Sequence, residues 1–270
     1  MTDLLSYLNE PFAQNALLAA TLVAVMCGLI GPFVIMRRMA FAVHGTSELA
    51  FTGAAAGLLL GGHALAGAFI GALVVAGLIG LFGGRERERD ASIGVILAFG
   101  LGLGVLLLSF YKGFSAQATN ILFGNIFGVD NGQLALLVVV GMLVCITMLT
   151  MYRPLVFASL DPEVARARGL PMALLSGVFL VVLALTVTEA AQVVGTLLVL
   201  SLAITPAAAA QRLTVRPASL TVLSIIFALT ASVGGLLLSL AFDGIKPTVC
   251  ITGISFAIYI TAFLATLRRQ

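Results

Sequence analysis

The chain has 270 residues, of which 61% are hydrophobic and only 9% charged, with a formal net charge of +3 and a mean hydropathy of +1.17. A water-soluble surface needs roughly 25% charged residues, so the composition excludes a soluble globular protein, and nothing in it points to nucleic acid as a partner. The apolar residues fall in blocks close to the ~20 residues that cross a bilayer core. Backbone polar groups in lipid must be satisfied within the segment, so the blocks are predicted helices. The short alternating strands of a membrane barrel are absent from the pattern. The expected fold is therefore all-α, a single polytopic membrane domain over residues 1–270.

In chain order, nine apolar segments stand out: Phe12–Met36, Phe41–Leu60, Leu65–Phe82, Ala91–Phe110, Leu134–Met151, Met172–Ala190, Val193–Ala210, Ala218–Leu240 and Thr248–Leu267. About nine transmembrane helices are expected, or eight with one re-entrant piece. Most connections are short and polar; the long ones are Tyr111–Gln133 and Tyr152–Pro171. Met1–Glu10 lacks a basic stretch and ends in an acid, so the first segment is expected to stay as a span. Every arginine falls on alternate connections or the tail: Arg37 and Arg38, Arg85, Arg87 and Arg89, Arg153, Arg166 and Arg168, Arg212 and Arg216, Arg268 and Arg269. The other side receives only Lys112 and Lys246. The positive-inside rule then predicts an outside N-terminus and a cytoplasmic C-terminus.

The second segment carries His44 and Glu48, four residues apart and so on one helical face. Counting from Arg38 at ~1.5 Å per residue puts Glu48 roughly 15 Å into the membrane. A carboxylate at that depth costs at least ~2.5–3.5 kcal/mol, and so pairs or lines a hydrated path. Imidazole nitrogen with carboxylate oxygen suits a divalent ion such as zinc or manganese. One helix offers only two such ligands, so fuller coordination needs a second copy or other spans. The bland alternative is a His–Glu contact that ties two helices together.

The remaining polar residues attract weaker readings. His63 and Glu189, at segment ends, fit ordinary interfacial roles better than ligand roles; Asn120, Asn125 and Asp130 fit turns and caps. Cys27, Cys145 and Cys250 lie singly in separate apolar blocks and make no metal or disulfide framework, and Met26 beside Cys27 reads as a core residue. Asp161 to Gly169 spells a short helix: Asp161 as N-cap, Pro162 first, Glu163 in the first turn, Ala165 mid-helix, Gly169 at the close. Pro206, inside the seventh apolar segment, predicts a kink. A nucleotide-binding loop needs a lysine between glycine and serine or threonine; Lys112 and Lys246 stand in neither context, so any ATP hydrolysis belongs to another chain.

Several stretches together resemble the zinc/manganese-type ABC transporter permease family over essentially the whole chain: Gly31 to Phe41, Leu122-Phe123-Gly124-Asn125, Asp161 to Gly169, and Val194 to Val199 running on to Pro206-Ala207. The resemblance implies the membrane-spanning, non-enzymatic subunit of a bacterial plasma-membrane importer. It implies no permanently bound cofactor and a divalent metal, zinc or manganese, as the transported species. A second copy of the chain, cytoplasmic ATPase subunits and an extracytoplasmic metal-binding protein are the implied partners. Asp161 to Gly169 then corresponds to the coupling helix; the kink at Pro206, read from the proline alone, is either a gating hinge or a static bend. After Arg37-Arg38-Met39-Ala40-Phe41 the family usually shows Asp-Ala-Leu-Ser-His. Here His44-Gly45-Thr46-Ser47-Glu48 exchanges the two ligand types and keeps their spacing. The competing expectations are a proton-coupled secondary transporter with Glu48 as proton carrier, and an ABC permease for a chelated metal or vitamin, which has no need of His44 and Glu48.

Overall fold

Helices form wherever the sequence is apolar, and their ends sit where it supplies stop signals. The computed structural model describes residues 10–82, 86–111, 124–196, 198–242 and 245–267. Helix α1 (Pro11–Met36) starts with proline in its first turn, where the missing N–H is no loss. It ends in a 6→1 and 5→2 hydrogen-bond pair: the Met39 N–H donates to Val34 O at 2.8 Å and the Arg38 N–H to Ile35 O at 3.0 Å. Arg38 takes the left-handed residue of that turn at φ 53°. Helix α2 (Ala40–Gly61) closes on Gly62 at φ 79°, a value glycine tolerates freely, and α3 (Ala64–Phe82) follows after one residue.

Helix α4 (Glu86–Ser109) precedes a single 3-10 turn at Ile126–Gly128 and the long α5 (Asn131–Leu160). Asp130 caps α5 by accepting from the Gln133 N–H at 2.7 Å, the cap role expected of it. The chain continues through α6 (Pro162–Ala167), α7 (Met172–Val194), α8 (Val199–Ala203), α9 (Thr205–Leu213), α10 (Pro217–Ala241) and α11 (Pro247–Leu267). Among the described residues every element is helical. Six helices are long and apolar enough to cross a membrane: α1, α3, α5, α7, α10 and α11.

Two expected boundaries are corrected. The fifth segment does not end at Met151; α5 runs to Leu160 through Arg153 and Pro154. Thirty residues at ~1.5 Å each span roughly 45 Å, longer than a bilayer core, and the Tyr152–Ser159 stretch, expected as connection, is helix. Leu155 and Ala158, at 1% and 3% exposure, anchor that extension in the core. The seventh segment is not one helix either. Val193 and Val194 end α7, Gly195 turns at φ 99°, and the rest divides into α8 and α9.

Small residues set how closely the helices approach. Gly53 and Gly57 on α2 face Gly67 and Gly71 on α3, and a Cβ on Gly53 or Gly67 would run into the other's carbonyl oxygen. This is a two-sided G-x-x-x-G contact of the kind that holds membrane helices together without a hydrophobic drive. On the other flank of α2, the Thr52 hydroxyl donates to Gly100 O of α4 at 2.6 Å. Elsewhere Gly28 of α1 lies against the Ile225 backbone of α10, and Gly235 of α10 against Ile251 of α11. Gly67→Leu is expected to lower stability by about 1–3 kcal/mol or to block folding, read as the thermal unfolding midpoint in detergent. An unchanged midpoint would mean α2 and α3 part at no cost.

Candidate functional site

Helix α2 brings His44 and Glu48 onto one face, a turn apart, as their spacing requires. Glu48 is 2% exposed, yet its Oε2 and the Nδ1 of His44 are both buried without a hydrogen-bond partner. Native buried polar atoms are nearly always satisfied, so two orphans on adjacent turns single out this face of α2. The neighbouring hydroxyls are spent on backbone. Thr46 donates to Ala42 O, Ser47 to His44 O, and Thr52 to Gly100 O. The glycine contacts with α3 and α4 fix the height and rotation of α2 and thereby aim the pair. Among the described residues no group of three or more His, Cys, Asp or Glu side chains is assembled as a metal site.

A cavity of about 240 Å³ opens at the end of the bundle away from the arginines. Its walls are Ala50, Phe51 and Ala54 of α2, Ala64 and Ala68 of α3, Asn125 and Gln133 before and in α5, and Thr188, Glu189, Gln192 and Thr196 along the end of α7 and the turn after it. Neither His44 nor Glu48 is among them; the α2 wall begins two residues beyond Glu48. Glu189, expected in an ordinary interfacial role, is 2% exposed and has an unpartnered Oε1. The sequence offered one signal for it, a lone carboxylate within an apolar block, and its nearness to the segment end masked its burial. Two of the stretches that carry the family resemblance meet on this wall: Gly124, at φ 73°, lies against the backbone of Val193–Gly195, where a side chain has no room. Asn120, Leu122 and Phe123 lie outside the described residues.

At the arginine end, Arg37 gathers three elements. Its Nε donates to Ser159 Oγ of α5 at 3.0 Å and its Nη1 to Ser176 Oγ of α7 at 3.4 Å, while the guanidinium stacks 5.2 Å from the Phe179 ring centre. Beside it stands α6, formed as its sequence dictates. Asp161 accepts from the Val164 N–H at 3.1 Å, Pro162 leads, and Gly169 at φ 77° closes the helix. The Leu170 N–H returns to Ala165 O at 3.1 Å, and the Gly169 N–H to Arg166 O at 3.0 Å. Ala165 is fully buried and seats α6 on the bundle, so it is an anchor and not an outer contact. The outward face carries Glu163 and, unanticipated from sequence, the apolar Val164 and Leu160 at 42% and 62% exposure.

Pro206 lies in the first turn of α9, and the helix axis breaks just before it at Ile204. The Ile204 N–H donates to Leu200 O at 3.0 Å and the Ala208 N–H to Ile204 O at 2.9 Å. The Ser201 carbonyl at the break accepts from the Ser255 hydroxyl of α11 at 2.8 Å. Gly31 of α1 lies against the Ala203 carbonyl on the other side. The break is thus held between α1 and α11.

The remaining candidates take ordinary places. His63 is exposed, with its Nδ1 at 2.7 Å from Gly61 O. All three cysteines are free, and Met26 and Cys27 belong to the apolar core.

Comparison with known proteins gives a consistent set of relatives. The sequence model of the ABC 3 transport family matches residues 9–266. The manganese transport system membrane protein MntC of Halalkalibacterium halodurans is 32% identical over 242 residues, 89% of this chain and 82% of that protein. The manganese import system permease protein ScaB of Streptococcus parasanguinis is 30% identical over 260 residues, 96% of this chain and 92% of that protein. A chain of PsaBC from Streptococcus pneumoniae, solved in complex with Fab, superposes with a TM-score of 0.87 at 29% identity, covering 97% of this chain and 95% of that one.

Proposed function

The chain belongs to the ABC 3 transport family, and from that membership we infer that it is the permease subunit of a bacterial ABC importer for a divalent transition metal. The observation that carries the reading is the orphaned pair on α2: a buried carboxylate oxygen and a buried imidazole nitrogen without a hydrogen-bond partner in the chain, a donor set that suits a divalent cation. The relatives named for manganese support that metal over zinc. His44 and Glu48 are its ligands in the membrane. Two more come from the symmetry-related pair of a second copy, or from backbone and water, since a cation binds four to six groups.

Nine crossings accommodate the helices: the six apolar ones, α2 with its buried polar pair, α4, and α8 with α9 as one broken span. The arginine end is cytoplasmic, the N-terminus external and the C-terminus internal. Helix α6 is the seat of a separate ATPase subunit, and an external metal-binding protein delivers to the opposite end. ATPase closure rocks the two permease copies, and the break before Pro206 flexes as the path changes sides. That is alternating access, in which nucleotide and cation favour different members of a two-state equilibrium. The cavity ends above the His44–Glu48 pair, which fits a state in which the pair is shut off from the far side.

The test is uptake of radioactive manganese and zinc into membrane vesicles holding this chain with the ATPase encoded beside it. ATP-dependent accumulation of manganese, suppressed by excess cold manganese, is the expected result. Uptake that persists without any ATPase and collapses with the proton gradient would instead establish a secondary transporter.

A further inference from the structure

The cavity at the end opposite the arginines holds more polar chemistry than a passive vestibule needs. Three side chains on its α7 wall carry buried atoms without a hydrogen-bond partner: Glu189 Oε1, Gln192 Nε2 and Thr196 Oγ1. Glu189 and Thr196 are 2% and 1% exposed. Leaving the two oxygens, Glu189 Oε1 and Thr196 Oγ1, unsatisfied in one place is costly, and a shared cation removes the cost for both; the Gln192 amide joins such a set only through its oxygen, with Nε2 left to donate elsewhere.

The backbone points the same way. Helix α7 ends at Val194 and the chain turns irregularly before α8 begins at Val199. Non-helical backbone at membrane depth persists only where it is buried in protein or faces a water-filled space, and here Thr196 places it on the cavity wall. The C-terminal end of a helix carries partial negative charge from its free carbonyls, so the end of α7 adds to the attraction of a cation. Asn125, whose N–H donates to Gln192 O at 3.5 Å, and Gln133 bring further amide groups to the cavity.

We propose that this cavity is a receiving site for the transported divalent cation, with Glu189 as its anionic ligand and the side-chain oxygens of Thr196, Gln192 and Asn125 as neutral ones. The set is all oxygen, without histidine or cysteine. Hard ions such as manganese favour it, whereas zinc gains more from nitrogen and sulfur ligands. The volume of about 240 Å³ admits the ion with part of its water shell, so dehydration is completed later, at the pair on α2. Helix α7 thereby selects for a hard ion before imidazole on α2 selects against magnesium and calcium. The proposal rests on the permease reading above.

The experiment measures manganese and zinc uptake against concentration in vesicles carrying the chain and its ATPase, for wild type, Glu189→Gln and Glu189→Asp. Glu189→Gln is expected to raise KM for manganese by about tenfold or more, with the maximal rate largely kept and the zinc KM moved less. Glu189→Asp, which preserves the charge, is expected to recover most of the manganese KM. A second measurement follows Mn²⁺ binding by electron paramagnetic resonance on the nanodisc-embedded chain with His44 and Glu48 replaced by alanine. One bound ion should persist there and disappear on adding Glu189→Gln. An unchanged KM together with unchanged binding overturns the proposal, and so does equal loss of abundance in the Gln and Asp variants, which would make Glu189 a structural residue. Wild-type vesicles that import no metal would sink the permease reading instead, an outcome visible before any variant is compared.

Discussion

Glu48→Ala is expected to reduce manganese uptake by at least ~100-fold while leaving the chain in the membrane at wild-type abundance. Loss of a supporting partner alone typically costs 10–100-fold in metal affinity, and Glu48 is the only carboxylate of the pair. The change removes a carboxylate whose burial costs several kcal/mol, so the folded state should not suffer and can gain stability. That separates a ligand from a structural residue: a His44–Glu48 contact that held helices together would lose stability and uptake in parallel. His44→Ala should act in the same direction more weakly, because the carboxylate keeps most of the attraction for the ion. Exchanging the two side chains in one double variant, so that the carboxylate precedes the imidazole as in the usual family order, is expected to retain uptake. Uptake at the wild-type rate in both single variants would remove the pair from the transport path.

The fold was readable because lipid imposes a length and a composition on each helix, and because the stop signals are chemically plain. Gly62, Gly169, Asp130 and Asp161 act as their side chains dictate. What escaped was whatever depends on neighbours. The extension of α5 past Met151 was hidden behind Arg153 and Pro154, which usually read as a boundary, and only the burial of Leu155 and Ala158 reveals it. The break between Gly195 and Val199 looked like continuous apolar helix, since valine, leucine and threonine give no warning of an unwound turn. The contact between the glycines of α2 and α3 depends on how the two helices pack, which neither segment states alone. The shared face of His44 and Glu48 is legible because both belong to one helix, where spacing alone sets it. Glu189 was passed over because the atoms that make its surroundings polar come from Gln192, Thr196 and Asn125, the last of them more than sixty positions away.

Val164→Asp tests the cytoplasmic side. Helix α6 is only six residues long and would not persist without the Asp161 cap, the glycine closure and the buried Ala165 beneath it, so its form is preserved for a purpose outside its own stability. Its exposed Val164 and the exposed Leu160 at the end of α5 lie at the arginine end, where an ATPase subunit has to bind if it is to drive the bundle. A carboxylate at position 164 keeps helix propensity nearly unchanged and faces solvent in the isolated chain, so stability should hold. At an interface it is buried without a partner, a change that at central contact positions costs 2 kcal/mol or more, about 30-fold in affinity. The expected result is loss of the ATPase from the purified complex and a fall in uptake of roughly tenfold or more, with Mn²⁺ binding to the chain unaffected. Arg37 gives the complementary case, because it ties α5 and α7 together behind α6. Arg37→Ala should keep the ATPase bound and hydrolysing while uptake per ATP falls, since the push on α6 is no longer passed rigidly to α7. Full uptake by Val164→Asp with the ATPase still bound would move the docking surface elsewhere on the arginine end.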